Sequence, residues 1–530
     1  MSLRKDSPPF KRILVANRGE IAVRIMRACR ELGIESVAVY SDADTGALHA
    51  RLADVAVNIG PAPATDSYLR IDRVMDAARQ TGVDAIHPGY GFLSEQPEIA
   101  DACAAAGITF IGPSREALDQ LGDKLAARRR ATAAGVPVVP GIFEPITLSA
   151  SGDEDRLRDD ANRIGYPVLV KAAAGGGGRG MRRVDAADDL IEAVQGASRE
   201  AAAAFGDGSV YLERYVERAR HVEVQLLGDS HGRIVALGER DCSVQRRHQK
   251  LVEEAPAPGL SPDQRRRLHA LGVTVAGTVG LQNAATAEFL LTPEGDFWFL
   301  EVNARLQVEH GVTELVSDLD LVHEQIAIAA GEPLSDRVLA AAERAAAPVR
   351  HAIEVRLSAE DPAASFMPGP GKVSVWRPAE GPGVRVDSGI EEGSVIPGDY
   401  DSMFAKLMVV AADRPAAISR MRRALAETRI GGVQTTLPFD RWLLERDEFT
   451  DETGAGLSTD LIARTWEPAP FAAAAALRAT ELVALASRDA SPAPATVGHH
   501  RAAAETAAET AAETAVWWQT GVREALDSRL

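Results

Sequence analysis

Two glutamates near the middle of the chain stand where a hairpin would bring them face to face. Ala287-Glu288-Phe289-Leu290-Leu291 reads as a strand, Thr292 to Asp296 as a turn, and Phe297-Trp298-Phe299-Leu300-Glu301-Val302-Asn303 as the returning strand. A turn folded symmetrically about Glu294-Gly295 places Glu288 opposite Glu301. Like charges paired in this way destabilise a sheet. A hard cation between them reverses the sign, since Mg²⁺ takes a couple of carboxylates together with substrate phosphates. Asn303 projects from the same face as Glu301, and Arg305, Gln307 and Glu309 continue the polar series. A solvent-facing hairpin edge is the competing reading. Against it, bulky apolar residues bracket both glutamates, and Asn303 to His310 is dense in hydrogen-bonding groups without turn chemistry. This segment is the expected reaction centre.

Phosphate ligands are expected nearby. Tyr166 to Lys171 reads as a strand, followed by Ala172-Ala173-Ala174-Gly175-Gly176-Gly177-Gly178-Arg179-Gly180 and a second short strand, Met181 to Val184. A strand–glycine–strand unit is a flap whose backbone N–H groups can approach an anion closely. It lacks the Gly-Lys-Ser/Thr ending and following helix of a Walker loop. Lys171 precedes the glycines, Arg179 lies within them, and Lys124 is a further candidate ligand. A third cluster runs from Glu239 to Lys250, between the strand Ile234–Leu237 and the glutamate hairpin. Charge runs are usually solvated faces; in this position its basic side chains would neutralise a phosphate or bicarbonate.

The elements around these motifs indicate an α/β protein of several domains. A chain of 530 residues exceeds what one core supports, so about two to four domains are expected. The first ~120 residues alternate strand and helix signals, the mark of a parallel sheet: strands at Arg12–Ala16, Ser36–Tyr40, Ala85–His87 and Thr109–Ile111, with a helix from Glu20 to Leu32. Asn17-Arg18-Gly19-Glu20 is not a dinucleotide fingerprint. Alternation returns at His351–Leu357 and Lys372–Trp376, suggesting a smaller antiparallel sheet. Beyond Glu467 the chain is rich in alanine and proline, with a repeated Ala-Ala-Glu-Thr from Ala503 to Thr514, and reads as a linker or frayed helix.

The formal charge of −18 argues against non-specific nucleic-acid binding and against anionic membranes. Three scattered cysteines, Cys29, Cys103 and Cys242, fit a reducing compartment. No apolar signal segment opens the chain, and no uncharged stretch reaches the ~20 residues of a membrane span. A cytoplasmic location is expected.

Asn17-Arg18-Gly19-Glu20-Ile21-Ala22, His87-Pro88-Gly89-Tyr90-Gly91-Phe92-Leu93-Ser94-Glu95, the flap, the Arg240-to-Glu254 cluster and Glu301 to His310 together resemble biotin carboxylase, of the ATP-grasp superfamily. The likeness runs in order from about Lys11 to Leu461 and leaves out the tail. It implies an N-terminal doubly wound parallel sheet over residues 9–123 and an ATP-grasp domain over 124–345, with a lid at about 143–216. A smaller mixed or antiparallel C-terminal domain would follow over 346–463, and then a tail over 464–530.

The implied reaction is phosphorylation of bicarbonate by ATP with Mg²⁺ or Mn²⁺, giving carboxyphosphate, then transfer of the carboxyl group to N1′ of biotin. By motif position, Lys124, Lys171, Gly175, Gly176, Gly177, Gly178, His221, Gln245 and His248 would contact ATP, while Glu213, Arg214, Val216 and Leu290 would border the adenine. Glu288, Glu301 and Asn303 would hold the metal, in agreement with the hairpin argument. Lys250, Arg305, Gln307 and Val308 would hold bicarbonate, Glu309 would be the base, and Arg356 would stabilise the biotin enolate.

Ala174, Arg214, Gly311, Asp318 and Thr436 depart from the family's commoner residues, and Gly311 would loosen the loop that holds Glu309. No Ala-Met-Lys-Met biotinylation motif occurs, and no carboxyltransferase fits after Leu461. The expected partners are therefore a separate biotin carboxyl carrier protein and a carboxyltransferase subunit of an acetyl- or propionyl-CoA carboxylase, with pyruvate or another acceptor left open and this chain a homodimer; the competing reading is another ATP-grasp carboxylate ligase.

Overall fold

The computed structural model describes residues 8–146, 153–173 and 181–468. Five parallel strands form the N-terminal sheet: β1 (Arg12–Val15), β2 (Glu35–Tyr40), β3 (Val55–Asn58), β4 (Ala85–His87) and β5 (Thr109–Phe110), in the order β3-β2-β1-β4-β5. The apolar runs of β1 and β4 are buried, as strands covered on both faces require. Helix α1 (Gly19–Glu31) follows β1. The order reverses between β1 and β4, where open α/β sheets gather ligands. Asn17 Nδ2 ties the two loops there, donating to the Pro88 and Tyr90 carbonyls at 2.7 Å each. Strand β3, which the sequence reading lacks, is a half-exposed edge with only three apolar residues, Val55-Ala56-Val57.

Helix α2 (Lys124–Ala133) leads to a four-stranded antiparallel sheet, ordered β6-β9-β7-β8 from β6 (Gly141–Ile146), β7 (Val168–Ala172), β8 (Arg182–Val184) and β9 (Val210–Arg214). Val168 pairs with Val184, so the strands flanking the expected flap do form a hairpin. The glycines between them lie outside the described residues, as does the tail from 469.

The large sheet has eight strands. They are β10 (Arg220–Gly228), β11 (Ile234–Arg246), β12 (Gln249–Ala255), β13 (Asn283–Leu291), β14 (Phe297–Asn303), β15 (His351–Ser358), β16 (Val384–Ser388) and β17 (Met403–Ala411). Their order is β14-β13-β10-β11-β12-β15-β17-β16. The antiparallel C-terminal strands are therefore continuous with the strands that carry the glutamates, because β15 pairs with β12 on one side and β17 on the other. The Lys372–Trp376 segment is divided between two short strands, Gly371–Lys372 and Val375–Arg377.

The charge cluster from Glu239 is not a solvated face. Most of it is β11 itself, and Glu239, Arg240, Asp241 and Ser243 are buried. Each buried charge has a partner: Glu239 meets Arg265 and His269, Arg240 meets Glu223, and Asp241 meets Arg220. The β11–β12 turn holds Arg247 and His248 at φ 50° and 68°, the left-handed pair that a two-residue hairpin loop demands.

Candidate functional site

Glu288 does stand opposite Glu301. The register arises differently from the symmetric turn expected. Leu291 pairs with Phe297 and Phe289 with Phe299, so the loop Thr292–Asp296 centres on Glu294. A β-bulge at Leu300 then restores the glutamate pair. An inserted residue re-aims the strand beyond it. Here it allows consecutive residues, Leu300 and Glu301, both to line the cavity.

The pair belongs to a longer row. Reading across β11, β10, β13 and β14, Arg240 is opposite Glu223, Glu223 opposite Glu288, and Glu288 opposite Glu301. Two lysines and a histidine lie among these carboxylates. Lys250 contacts Glu223, reaches Glu288 at 3.1 Å and Glu309 at 2.7 Å; His221 Nε2 lies 3.1 Å from Glu288; Lys124 lies 2.6 Å from Glu301. Burial opposes the charge on Glu288, but Lys250 and His221 outweigh it and hold the carboxyl well below its ordinary range. Lys124 likewise lowers Glu301, against burial and the repulsion of Glu288.

Past β14 the chain forms a loop that ends at Glu309, the N-cap of helix α3 (His310–Ser317). Glu309 makes no cap bond, because its carboxylate lies between Lys250 and Arg356, the latter at 2.9 Å. Burial would raise its pKa; Lys250, Arg356 and Arg240 together drive it well below the ordinary carboxylate value. Gln307 donates to Glu288 at 2.9 Å and accepts from Arg240 at 3.1 Å. Arg305 donates to Asn303 Oδ1 and pairs with Glu95, and Asn303 Nδ2 in turn donates to Glu288. Burial disfavours the Lys250 ammonium, yet Glu223, Glu288 and Glu309 raise its pKa well above the ordinary value.

The other end of the site mixes charged and apolar groups. Lys171 lies 3.1 Å from Glu213, which also pairs with the buried Arg128. Burial lowers the Lys171 pKa, and neighbouring Arg128 and Lys124 lower it further. Gln245 Nε2 is 2.6 Å from His221 Nδ1. Leu290, Val216 and Arg214 border the same space.

Every described residue named from the sequence lines one cavity of about 850 Å³: Lys124, Lys171, Glu213, Arg214, Val216, His221, Gln245, His248, Lys250, Glu288, Leu290, Glu301, Asn303, Arg305, Gln307, Val308, Glu309 and Arg356. Gly175 to Gly178 lie outside the described residues.

Sequence reasoning missed the charges that support this set. Glu223 bridges Arg240 and Lys250, Glu253 accepts from Arg356 at 2.6 Å, and Arg128 holds Glu213. Their signal was present, since a charge inside an otherwise apolar strand such as His221–Leu227 needs a buried partner. Three of the five departures have structural reasons, and Ala174 lies outside the described residues. Gly311 is buried in the first turn of α3, and a Cβ there would collide with Met408 Sδ; the glycine makes room for that side chain rather than loosening the loop. Asp318 ends α3 at φ 61°, a conformation that aspartate tolerates. Thr436 Oγ1 donates to the Arg356 carbonyl at 2.8 Å.

A divalent metal fits the donors at the hairpin. Glu288 and Glu301 are ionised oxygen donors on one face, an amide stands beside them, and no thiolate or soft ligand is among them. Among the described residues no helix is long and apolar enough to cross a membrane.

Comparison with known proteins gives three family models in sequence. Residues 9–118 match "Biotin carboxylase, N-terminal domain", 123–337 match "Carbamoyl-phosphate synthase L chain, ATP binding domain", and 354–464 match "Biotin carboxylase C-terminal domain". The chain is 48% identical over 444 residues to biotin carboxylase 1 of Bacillus subtilis, covering 83% of this chain and 96% of that one. It is 49% identical over 440 residues to a pyruvate carboxylase subunit of Methanothermobacter thermautotrophicus, covering 83% and 87%. It spans only 37% of the mitochondrial pyruvate carboxylase of Mus musculus, at 48% identity. Among solved structures, the biotin carboxylase–β,γ-ATP complex from Campylobacter jejuni superposes with a TM-score of 0.81 at 44% identity, covering 86% of this chain and 99% of that one.

Proposed function

The chain belongs to the biotin carboxylase family, and from that premise we propose how its own residues carry out the ATP-dependent carboxylation of biotin with bicarbonate. Lys250, Arg305, Gln307 and the Val308 backbone hold the bicarbonate ion. Glu309 removes its proton, a task for a carboxylate within hydrogen-bond reach. A bicarbonate oxygen attacks the γ-phosphorus, the bond to ADP breaks, and carboxyphosphate forms. Its carboxyl group passes to N1′ of biotin as the C–O bond to phosphate breaks and the released phosphate takes the N1′ proton, while the Arg356 fork holds the enolate oxygen.

Lys124, Lys171, His221, Gln245 and His248 bind the nucleotide, with Glu213, Arg214, Val216 and Leu290 around the base. Glu288, Glu301 and Asn303 would hold a magnesium ion, which would offset the negative charge on the transferring phosphoryl group. The supporting observation is the position of Glu309, held ionised between Lys250 and Arg356 while the same Lys250 reaches the metal pair. Glu309→Gln should reduce bicarbonate-dependent ATP cleavage on the order of 10²-fold or more and leave ATP binding nearly unchanged. Unaltered cleavage would remove the assigned role.

Residues 9–123, 124–345 and 346–463 are the proposed working domains. The biotin is carried by a separate carrier protein, and the final acceptor is acetyl- or propionyl-CoA, selected by the carboxyltransferase partner. Pyruvate as acceptor is a second reading, and the name of the Methanothermobacter relative favours it. Co-purification from the source organism, with identification of the associated proteins, separates the two. The working form is a homodimer in the cytoplasm, consistent with three buried, unpaired cysteines.

A further inference from the structure

A lone lysine interrupts the apolar run Met403-Phe404-Ala405-Lys406-Leu407-Met408-Val409-Val410 of β17. Lys406 is 0% exposed. An ammonium buried this completely must find hydrogen-bond acceptors and opposite charge. Its Nζ donates to the Val308 carbonyl at 2.7 Å, lies 3.3 Å from Glu20 Oε1 in α1, and lies 3.9 Å from Asp387 in β16. Glu20 is itself held by the Tyr90 hydroxyl. One side chain therefore joins the N-terminal sheet, the C-terminal strands and the loop before α3.

The sheet register gives this contact its direction. Lys406 is opposite Arg356 on one side and Asp387 on the other, and residues directly opposite share a face. Arg356 and Lys406 thus project side by side toward the loop. Arg356 takes the carboxylate of Glu309, and Lys406 takes the carbonyl of the residue before it. The Val308–Glu309 peptide is planar, so fixing its carbonyl also fixes its N–H on the opposite side and the position of Glu309 Cα. Arg356 and Lys250 hold the Glu309 carboxylate, whereas Lys406 holds the peptide itself.

We propose that Lys406 is a positioning residue for the carboxylation reaction, pinning the Val308–Glu309 peptide so that Glu309 and the anion-holding backbone keep their geometry. This rests on the reading that Glu309 acts on bicarbonate. Lys406 touches no reactant; it acts through the loop.

The test uses the full chain with Lys406→Met, Lys406→Arg and Glu20→Gln. Hydrogen exchange of residues 304–310 should rise about tenfold in Lys406→Met, with exchange in the nucleotide-facing strands unchanged. The KM for bicarbonate should rise about tenfold, while the KM for ATP moves less than about twofold. Lys406→Arg should recover part of both effects. Glu20→Gln, which keeps the lysine but removes its anion, should shift both in the same direction by about threefold, and it serves where Lys406→Met does not fold. Wild-type exchange and a wild-type bicarbonate KM in folded Lys406→Met, or in Glu20→Gln where that variant must stand in, would overturn the proposal. Absence of bicarbonate-dependent ATP cleavage in the unmodified chain would overturn the activity reading instead, and the exchange measurement would still decide whether Lys406 pins the loop.

Discussion

Arg240 offers the sharpest test of how the site is held together. It is 0% exposed, and its guanidinium uses every N–H it has: Nε to Glu223, Nη1 to Gln225 at 2.8 Å and Thr313 at 2.9 Å, Nη2 to Thr286 and Gln307 at 3.1 Å each. Arg240→Met removes all of these at once and leaves Glu223, also fully buried, with Lys250 as its remaining cation. Breaking a buried ion pair from one side costs about 3–5 kcal/mol, because the orphaned charge keeps its desolvation penalty. At about 2–4 °C per kcal/mol for a unit of 150–250 residues, the thermal midpoint should fall by roughly 6–20 °C.

The second arm is a double-mutant cycle. Glu223→Gln neutralises the orphan, so Arg240→Met/Glu223→Gln should lose roughly 1–3 kcal/mol less than the two single changes added together. Differential scanning at one fixed rate reads the midpoints, and urea titration of the same variants checks the ranking. Gln307 keeps Glu288 but loses Arg240, so the bicarbonate KM should rise even where the variant is folded. A midpoint within about 2 °C of wild type in Arg240→Met, or strict additivity in the cycle, would refute the claim that the row of charges stands by mutual pairing.

The remaining predictions concern the metal pair and acid stability. Glu301→Gln takes one carboxylate from the pair; because its side chain is 31% exposed, stability should change little, whereas the KM for Mg²⁺ in ATP cleavage should rise on the order of tenfold or more, and an unchanged Mg²⁺ dependence would count against the metal site. Glu254, buried against Arg414 and His351, is opposed by burial yet lowered by these partners from 4.5 to about 2. A depressed folded value stabilises above the unfolded value and is lost as pH falls through the folded one, so about 3 kcal/mol present at neutral pH should disappear as the pH drops from 4.5 toward 2. Urea titration across that range should show Glu254→Gln starting less stable and losing less; a parallel loss in both proteins would contradict the assignment.

How far these features could be read from residue order depended on the range of the interaction. The glutamate pair was legible because a hairpin is local: two strands and a turn determine who faces whom. Even so, the loop centres on Glu294 and the bulge at Leu300 restores the pairing, a detail that no alternation pattern contains. For Glu223 the need for a buried partner was legible but the partner was not, for the opposite reason. It reaches Glu288 only because β10, sixty residues earlier, inserts between β11 and β13, and sheet order is a long-range property. The same holds for β15, whose alternation marked a strand correctly without saying that it would extend the glutamate-bearing sheet. The cluster after Glu239 resembled a solvated face because its partners Arg265, His269, Glu223 and Arg220 lie on other elements.

A common cause connects these cases. In a chain of net charge −18, a sheet face carrying Glu223, Glu288 and Glu301 in one row is stable only if a cation reaches each carboxylate. Those cations come from separate elements, Arg240 and Lys250 from the β11–β12 hairpin and Lys124 from α2, and the His221 ring of β10 also meets Glu288. Arg356 and Lys406 extend the arrangement from β15 and β17 to the loop carrying Glu309. Because the same ion pairs stabilise the sheet and orient the reacting groups, a loss of activity alone cannot distinguish a damaged fold from a misplaced base. What separates them is whether KM for bicarbonate moves while ATP affinity and exchange in the nucleotide-facing strands stay put: loop-directed changes at Lys406 should show that split, and changes at Arg240 should not.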